Sequence, residues 1–301
     1  MTDGTQTFLS HQPRLKSIAY RMLGSWAEAE DVVQDAWLRW HGSARESIDN
    51  AEAWLVSAVT RLSIDRLRAA KVRRAHYEGI WLPEPVLADD ARSPEQIIDR
   101  SENISFALLS VLERLSPEGR AAYLLHDIFD EDYAEIAATL GKTQAACRQL
   151  VARARKQIQQ GHRRTRVDPR TQERLLREFA HAASTGDFSS LKALFAADAE
   201  LIGDGGGKVP SFGRPLQGGE RIAQLYLASA LRYPERVLYQ PTRINGEWGF
   251  LRFIDGTLES AQHLLIDDTG IFRIYAQRNP DKLAHIPATP DGQSRSARPA
   301  S

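Results

Sequence analysis

The chain has 301 residues, 42% of them apolar, and its 39 basic and 39 acidic side chains give zero formal net charge. That length predicts two or three domains, and the apolar content suffices for real cores. A lone cysteine, Cys147, excludes an internal disulfide and a multi-cysteine zinc site; no pattern calls for a metal or a cofactor. No secretory leader opens the chain and no apolar run reaches membrane-spanning length, so a cytoplasmic protein is expected. Zero net charge leaves a nucleic-acid partner open, because the charge is segregated. Acids gather in 28–35 and bases in 61–74 and 142–164.

Leu15, Ile18, Ala19, Met22 and Leu23 predict a helix over 13–24, ended by Gly24. Ser25 and Glu28 form a capping box for the next, with Val33, Ala36, Trp37 and Trp40 as its buried stripe. Its other face carries Glu28, Asp31, Gln34 and Asp35. The helix dipole accounts for acids in the first turn but not for Asp35, so a basic protein partner is considered. Asn50 caps a long helix from Ala51 to about Arg74, anchored by Trp54, Leu55, Ala58, Val59, Leu62 and Leu67. Arg61, Asp65 and Arg68 make a polar row along it, and Arg66, Lys71, Arg73 and Arg74 add charge toward its end. Such a basic flank suits a nucleic acid, though a solvated face with cations at a helix C-terminus has the same pattern.

Residues 79–96, GIWLPEPVLADDARSPEQ, read as an extended linker. Trp81 and Leu82 are large apolar groups for a free linker, so WLPEP is expected to dock on a neighbouring domain. A helix resumes over 94–115 with Ile97, Ile98, Ile104, Leu108, Val111, Leu112 and Leu115 as candidate core. Ser116-Pro117 starts another, continuing over Ala121–Asp130.

The stretch from Asp132 to Ile158 predicts a helix-turn-helix. Asp132 with Glu135 opens the first helix, Gly141 sits where a left-handed C-cap costs least, and Thr143 caps the second. Cys147, Leu150, Val151, Ala154 and Ile158 form the buried stripe. Gln144, Arg148, Gln149, Arg153, Arg155 and Lys156 face outward, and no acid occurs from Lys142 to Arg164. Arg can pair with guanine and Gln with adenine, while the other bases hold phosphates. A solvated bundle helix would need neither the glycine-centred turn nor the absence of acids.

After Arg166 the pattern becomes α+β. Helices are predicted around Leu175–Gly186, Leu191–Phe195 and Ile222–Ala230. A short strand at Glu200–Gly203 runs into DGGGK, Asp204–Lys208. An antiparallel sheet follows from strands at 237–244, 248–254, 262–267 and 271–277, with hairpin turns at Asn245-Gly246 and Asp268–Gly270. NPDKL, Asn279–Leu283, precedes a Pro/Ser/Arg-rich tail expected to be disordered.

Four motifs in order, AEDVVQDAWLRW (29–40), AWLVSAVTRLSIDRLR (53–68), LSPEGRAAYLLHDIFD (115–130) and the helix-turn-helix with RAR at 153–155, resemble a bacterial extracytoplasmic-function (ECF) RNA polymerase sigma factor. The rest of the chain resembles a SnoaL-like cone, a small α+β barrel-like domain. A subgroup of these sigma factors carries that domain fused at its C-terminus, together with WLPEP, DGGGK and NPDKL, and all three motifs are present here. The resemblance implies two all-α sigma domains, the second with the helix-turn-helix, followed by the α+β cone. It places sigma domain 2 at 1–78, the linker at 79–93, sigma domain 4 at 94–165, the SnoaL-like domain at 170–286 and the tail at 287–301.

The resemblance also implies that Asp31, Gln34 and Asp35 face the clamp helices of core RNA polymerase. It implies that Arg61, Asp65, Arg68, Arg73 and Arg74 serve the promoter −10 element, with Leu62 standing where a polar residue is more usual. Thr143, Gln144, Arg148, Gln149 and Arg153 would serve the −35 element. The regulatory residues would be Trp81, Leu82, Pro83, Glu84 and Pro85, then Asp204, Gly205, Gly206, Gly207 and Lys208, and lastly Asn279, Pro280, Asp281, Lys282 and Leu283. The partners implied are core polymerase and promoter DNA, and the free chain is expected to be monomeric and not itself an enzyme.

WLPEP is expected to pack near DGGGK and NPDKL with Trp81 as its buried anchor, so that the fused domain regulates in cis. A second reading makes the C-terminal domain a small-ligand sensor or an enzyme, with Trp248, Arg252, His263, Asp267 and Tyr275 as candidate pocket groups. A third, a helix-turn-helix regulator independent of polymerase, would need neither the acidic helix nor the second basic one.

Overall fold

The computed structural model describes residues 3–44, 48–74, 77–87, 105–161 and 167–290. The candidate core residues Ile97, Ile98 and Ile104, the basic Arg163 and Arg164, and the tail from 291 lie outside these. The chain divides into two compact units, 1–76 with 91–163, and 77–90 with 164–301. The linker segment therefore belongs with the C-terminal domain rather than with either helical region it joins.

In the helical unit α1 spans Asp3–Leu23, starting ten residues before the predicted position and running through Pro13. Proline there forfeits a backbone donor and crowds the preceding turn, a cost that packing of the first turns has to offset. The extra turns are held by buried Phe8 and by Trp40, whose Nε1 donates to the Gly4 carbonyl at 2.8 Å. Helix α2 (Trp26–His41) starts at the predicted Ser25 cap, whose Oγ accepts from the Glu28 N–H at 3.3 Å. Helix α3 (Ala51–Arg74) is capped by Asn50 Oδ1. Leu15, Ile18, Met22, Leu23 and Leu55 are fully buried among the three.

The second half of this unit holds α4 (Phe106–Leu112), α5 (Pro117–Tyr123), a π-helical turn (Leu124–Ile128), α6 (Tyr133–Leu140) and α7 (Gln144–Gly161). Asp132 caps α6, accepting from the N–H groups of Ala134 and Glu135 at 2.8 Å each. Gly141 has φ +62°, the left-handed conformation its position demands. Cys147 and Val151 are fully buried on α7, with Ala154 and Ile158 continuing the stripe. Arg120 ties the halves together. It is 2% exposed, and it donates to Leu112 O at 2.9 Å, to Met22 O at the end of α1 at 2.6 Å, and to Glu113 Oε1 at 2.7 Å.

The C-terminal unit begins with α8 (Pro169–Thr185) and α9 (Phe188–Leu194). Strand β1 (Phe195–Asp204) and the short β2 (Leu216–Gln217) lead to α10 (Gly219–Arg232). Strands β3 (Val237–Ile244), β4 (Glu247–Ile254), β5 (Thr257–Asp267) and β6 (Gly270–Gln277) are followed by a single turn of helix, α11 (Pro280–Leu283). The sheet order is β2-β1-β6-β5-β4-β3. It is mixed rather than wholly antiparallel, because β1 runs parallel to β6 with Gly203 beside Ala276 and Asp204 beside Gln277. The crossing from β1 to β6 passes through α10 and three antiparallel strands, a connection long enough for a parallel pair.

Strand β5 begins five residues before its predicted start, since polar Ser260 and Gln262 are buried and interrupt the apolar alternation there. Phe179 of α8 anchors the interior, in ring contact with Phe195, Tyr226, Tyr239 and Phe250. The expected tail boundary at 287 moves outward: Ala288 O accepts from the Leu258 N–H at 2.9 Å, and Pro290 is buried.

Candidate functional sites: the DNA-reading helices and the linker clamp

On α2, Asp31 and Gln34 are exposed, as a docking surface requires. Asp35 is half-buried and accepts from Arg66 of α3 at 3.1 Å, while Asp31 lies 3.7 Å from the same guanidinium. Part of this acidic face is thus matched by the chain's own arginine.

The polar row on α3 is engaged within the helical unit. Arg61 donates to Thr139 O and Ala138 O, both at 2.8 Å, the free carbonyls at the C-terminal end of α6. Arg68 donates to Glu118 Oε1 at 2.6 Å and lies 3.3 Å from Asp65. The Arg68 hydrogen bond holds the Glu118 carboxyl below its ordinary range. Nearby, Arg14 pairs with Glu131 at 2.7 Å. Burial, with Glu135 close by, still pushes the Glu131 carboxyl up to about 7. Arg73 and Arg74 end α3, and their side chains lie outside the described residues.

On α7 the predicted reading face stands open. Thr143 Oγ1 caps the helix, accepting from the Ala146 N–H at 3.2 Å. Gln144, Arg148, Gln149 and Arg153 are exposed, and each arginine donates to the glutamine one turn back, at 3.2 Å for Arg148 and 3.4 Å for Arg153. Arg155 is also exposed, as expected, and makes a bidentate pair with Asp127, both bonds at 2.8 Å. It braces the π-helical turn against α7.

The three short motifs meet within the C-terminal unit. Asp204, at the end of β1, is wholly buried and accepts five hydrogen bonds. Its Oδ1 takes Tyr77 O–H at 2.6 Å and the Gly206 N–H at 3.0 Å. Its Oδ2 takes the Leu82 N–H at 2.9 Å, Gln277 Nε2 at 3.2 Å and Lys282 Nζ at 2.7 Å. Gln277 and Lys282 also grip the linker backbone: Gln277 donates to Leu82 O and Pro83 O, and Lys282 donates to Leu82 O at 2.7 Å. Burial, and next the Asp204 carboxylate, raise the Tyr77 phenol above its ordinary range.

The glycines fit different constraints. A Cβ on Gly205 would lie 2.2 Å from Val209 O, one on Gly206 2.3 Å from Asn279 Nδ2, and one on Gly207 2.7 Å from Glu78 Oε2. Gly206 and Gly207 also have φ of +62° and +70°. Lys208 pairs with Asp281 at 2.6 Å. Asn279 caps α11 through Asp281 N–H and donates to Tyr77 Oη, and Pro280 opens that helix. Leu283 is buried beside Ile244, Leu251 and Ile286, and Leu87 of the linker packs on the same cluster.

The anchor of WLPEP differs from the expected one. Leu82 is 2% exposed, and Pro83, Glu84 and Pro85 are buried, whereas Trp81 is only half-buried. Its ring covers the Lys282 ammonium, 4.0 Å from the ring centroid, so it shields the buried ion pair rather than filling a pocket. His285 closes the far end, its Nδ1 3.1 Å from Glu84 Oε1 and its Nε2 2.6 Å from Pro85 O. The Glu84 hydrogen bond raises its pKa above the ordinary value. Beyond it, Val86 N–H donates to Asn245 Oδ1, Asn245 N–H donates to Val86 O, and Leu87 bridges Ile244 on the edge strand β3. Tyr77, Gln277 and His285 were not singled out from sequence; each lies just outside a motif and has no spacing signature.

Of the five groups considered for a C-terminal pocket, Arg252 alone lines the cavity between α10 and the strands β1, β4, β5 and β6. Gln262 and Ala276 face that cavity from paired positions, so His263 and Tyr275, one residue further on, point to the other side of the sheet. His263 there lies 2.9 Å from Glu247 Oε2. Trp248 is covered by Arg243, and Asp267 caps the β5–β6 turn through Thr269.

The sigma-70 region 2 family matches residues 7–73, and the sigma-70 region 4 family matches 105–158. The chain is 36% identical over 307 aligned positions to the ECF RNA polymerase sigma factor SigJ of Mycobacterium tuberculosis, covering 97% of this chain and 98% of that one. It is 30% identical to the probable ECF RNA polymerase sigma factor SigI of the same species, covering 91% and 92%. The crystal structure of Mycobacterium tuberculosis SigJ superposes with a TM-score of 0.75 at 32% identity, over 95% of this chain and 99% of that one.

Proposed function

Because the chain belongs to the ECF sigma factors of RNA polymerase, relatives of which it matches along nearly its whole length, we propose that its fused C-terminal domain governs promoter engagement by gripping the linker between the two DNA-reading regions. Sigma factors bind core RNA polymerase and promoter DNA. In this reading Asp31, Gln34 and Asp35 meet the polymerase clamp helices. Arg61, Asp65 and Arg68, continued by Arg73 and Arg74, serve the −10 element, and Thr143, Gln144, Arg148, Gln149 and Arg153 serve the −35 element. The chain catalyses nothing itself, acts in the cytoplasm where polymerase is, and is monomeric when free.

Geometry supports a resting state that must open. Two elements centred 25 base pairs apart are separated by roughly 85 Å of duplex, at about 3.4 Å per pair. The guanidinium of Arg61 instead touches the first helix of the helix-turn-helix, and Arg68 is neutralised by Glu118. Both contacts have to break before the two elements can be held at once.

The observation that carries the reading is the five-donor Asp204 cluster, which closes DGGGK, WLPEP and NPDKL into one clamp. A linker fixed at its middle has less free length on either side, which favours the closed arrangement of the regions it joins. Holding a closed form at 99:1 takes roughly 2.7 kcal/mol. Burial of Leu82 and several hydrogen bonds supply that order of energy.

The test is transcription by purified core polymerase from the protein's own promoter. The full chain, Leu82→Asp, a chain cut after Gln277 and one cut after Thr165 are compared. Clamp-free forms that retain DGGGK should initiate several-fold more often than the full chain. If Leu82→Asp and the cut after Gln277 both transcribe as the full chain does, the clamp has no part in regulation.

A further inference from the structure

The C-terminal domain has a half-open cavity of about 590 Å³ between α10 and the strands β1, β4, β5 and β6, within the usual range of small-molecule sites of about 300–1,000 Å³. Its walls include the apolar Leu201, Phe212, Leu225 and Ile254. Three arginines and one acid line it: Arg232, Arg252, Arg278 and Glu259.

Glu259 is held from both sides. Its Oε2 accepts from Arg252 at 2.6 Å and from Ser260 Oγ at 2.8 Å, and its Oε1 accepts from Arg278 at 2.6 Å. One carboxylate between two guanidiniums leaves a surplus positive charge. The three side chains are only 11%, 15% and 31% exposed. A charge withdrawn from water without a counterion is costly, and an anion entering beside it removes that cost. Tyr226, donating to Gln262 Oε1 at 2.9 Å, and Ser229, which accepts from Arg252, add fixed polar groups to the lining.

We propose that this cavity binds a small organic monoanion, a carboxylate on an apolar body. The head lies toward Arg252 and Arg278, and the body lies against Leu201, Phe212, Leu225 and Ile254. The cavity backs onto the clamp, because β1 and β6 present Gly203 and Ala276 to it while their neighbours Asp204 and Gln277 hold the linker. Arg278 itself stands between Gln277 and Asn279. The bearing of a ligand on the clamp rests on the function proposed above; its binding does not.

The experiment is calorimetric titration of the full chain, without polymerase, with benzoate, octanoate and 4-phenylbutyrate and with the neutral primary amide of each. At least one acid should bind with Kd below about 1 mM, and its amide about tenfold or more weaker. Arg278→Gln should remove the preference for the acid. Ala228→Trp, an exposed position of α10 at the cavity, blocks access with no core change and should abolish binding even if the arginine variant fails to fold. Failure of all three acids to bind, equal binding of the amides, or undiminished binding by Ala228→Trp would each overturn the assignment.

Discussion

Asp204 concentrates the chemistry of the clamp in one side chain. Its carboxylate has no exposure, and its ion partner Lys282 has 12%. Removing one member of a buried pair leaves the other uncompensated, at a cost of about 3–5 kcal/mol. Asp204→Ala should therefore lower the stability of the C-terminal unit by about that amount, as read by chemical denaturation, while the helical unit keeps its own transition. His285 makes a second test at this scale. Both ring nitrogens face acceptors, Glu84 and the Pro85 carbonyl, so the imidazolium fits and the neutral ring satisfies only one of them. A pKa raised on folding means that the contribution to docking is fully present below the unfolded value, near 6.5, and is lost as pH rises through the higher folded value. NMR titration of the His285 ring should give a pKa above 6.5, returning to the ordinary range in Glu84→Gln; an ordinary value in the parent chain would remove His285 from the clamp.

At the scale of elements, α7 is the helix proposed to read DNA; its arginines are exposed, and Arg155 is braced by Asp127. Arg148→Ala in the holoenzyme should cost about 1–3 kcal/mol and relax base preference at one position of the −35 element. Lys142→Ala should instead weaken all sequences alike and reduce the salt dependence. Competition binding against a set of single-base promoter variants separates the two. A loss uniform across sequences for Arg148→Ala would make it a phosphate contact. The linker is the other decisive element. It lies as an extended segment along β6, α11 and the open edge of β3, its backbone groups taken by Asp204, Gln277, Lys282 and Asn245.

For the whole molecule, contacts between regions 2 and 4 imply that the free chain is a poor DNA binder. Arg61 and Arg68 are already satisfied by carbonyl and carboxylate oxygens, which compete with phosphates for the same guanidiniums. Full-length protein should shift a promoter fragment weakly alone and strongly once core polymerase is added, with steep salt dependence in both cases. Tight, sequence-specific binding without polymerase would favour an independent helix-turn-helix regulator.

The amino-acid sequence by itself determined what depends on local chemistry. The caps at Ser25, Asn50, Asp132 and Thr143, the left-handed turn at Gly141, the buried stripe of α7 and the Asn245-Gly246 hairpin follow from propensity and periodicity, which act over a few residues. WLPEP and DGGGK stood out by composition, and NPDKL through the resemblance to the sigma-factor subgroup that carries all three. Tertiary structure decided their meeting, because Leu82 lies 122 positions from Asp204 and 200 from Lys282, and no local rule couples them. It also decided that Leu82 and not Trp81 is the buried anchor, that β1 lies parallel to β6, and that Glu259 and Arg278 converge with Arg252 while His263 turns away. Those outcomes depend on strand register, where a shift of one residue exchanges the two faces of the sheet, and register is set only when distant strands pair.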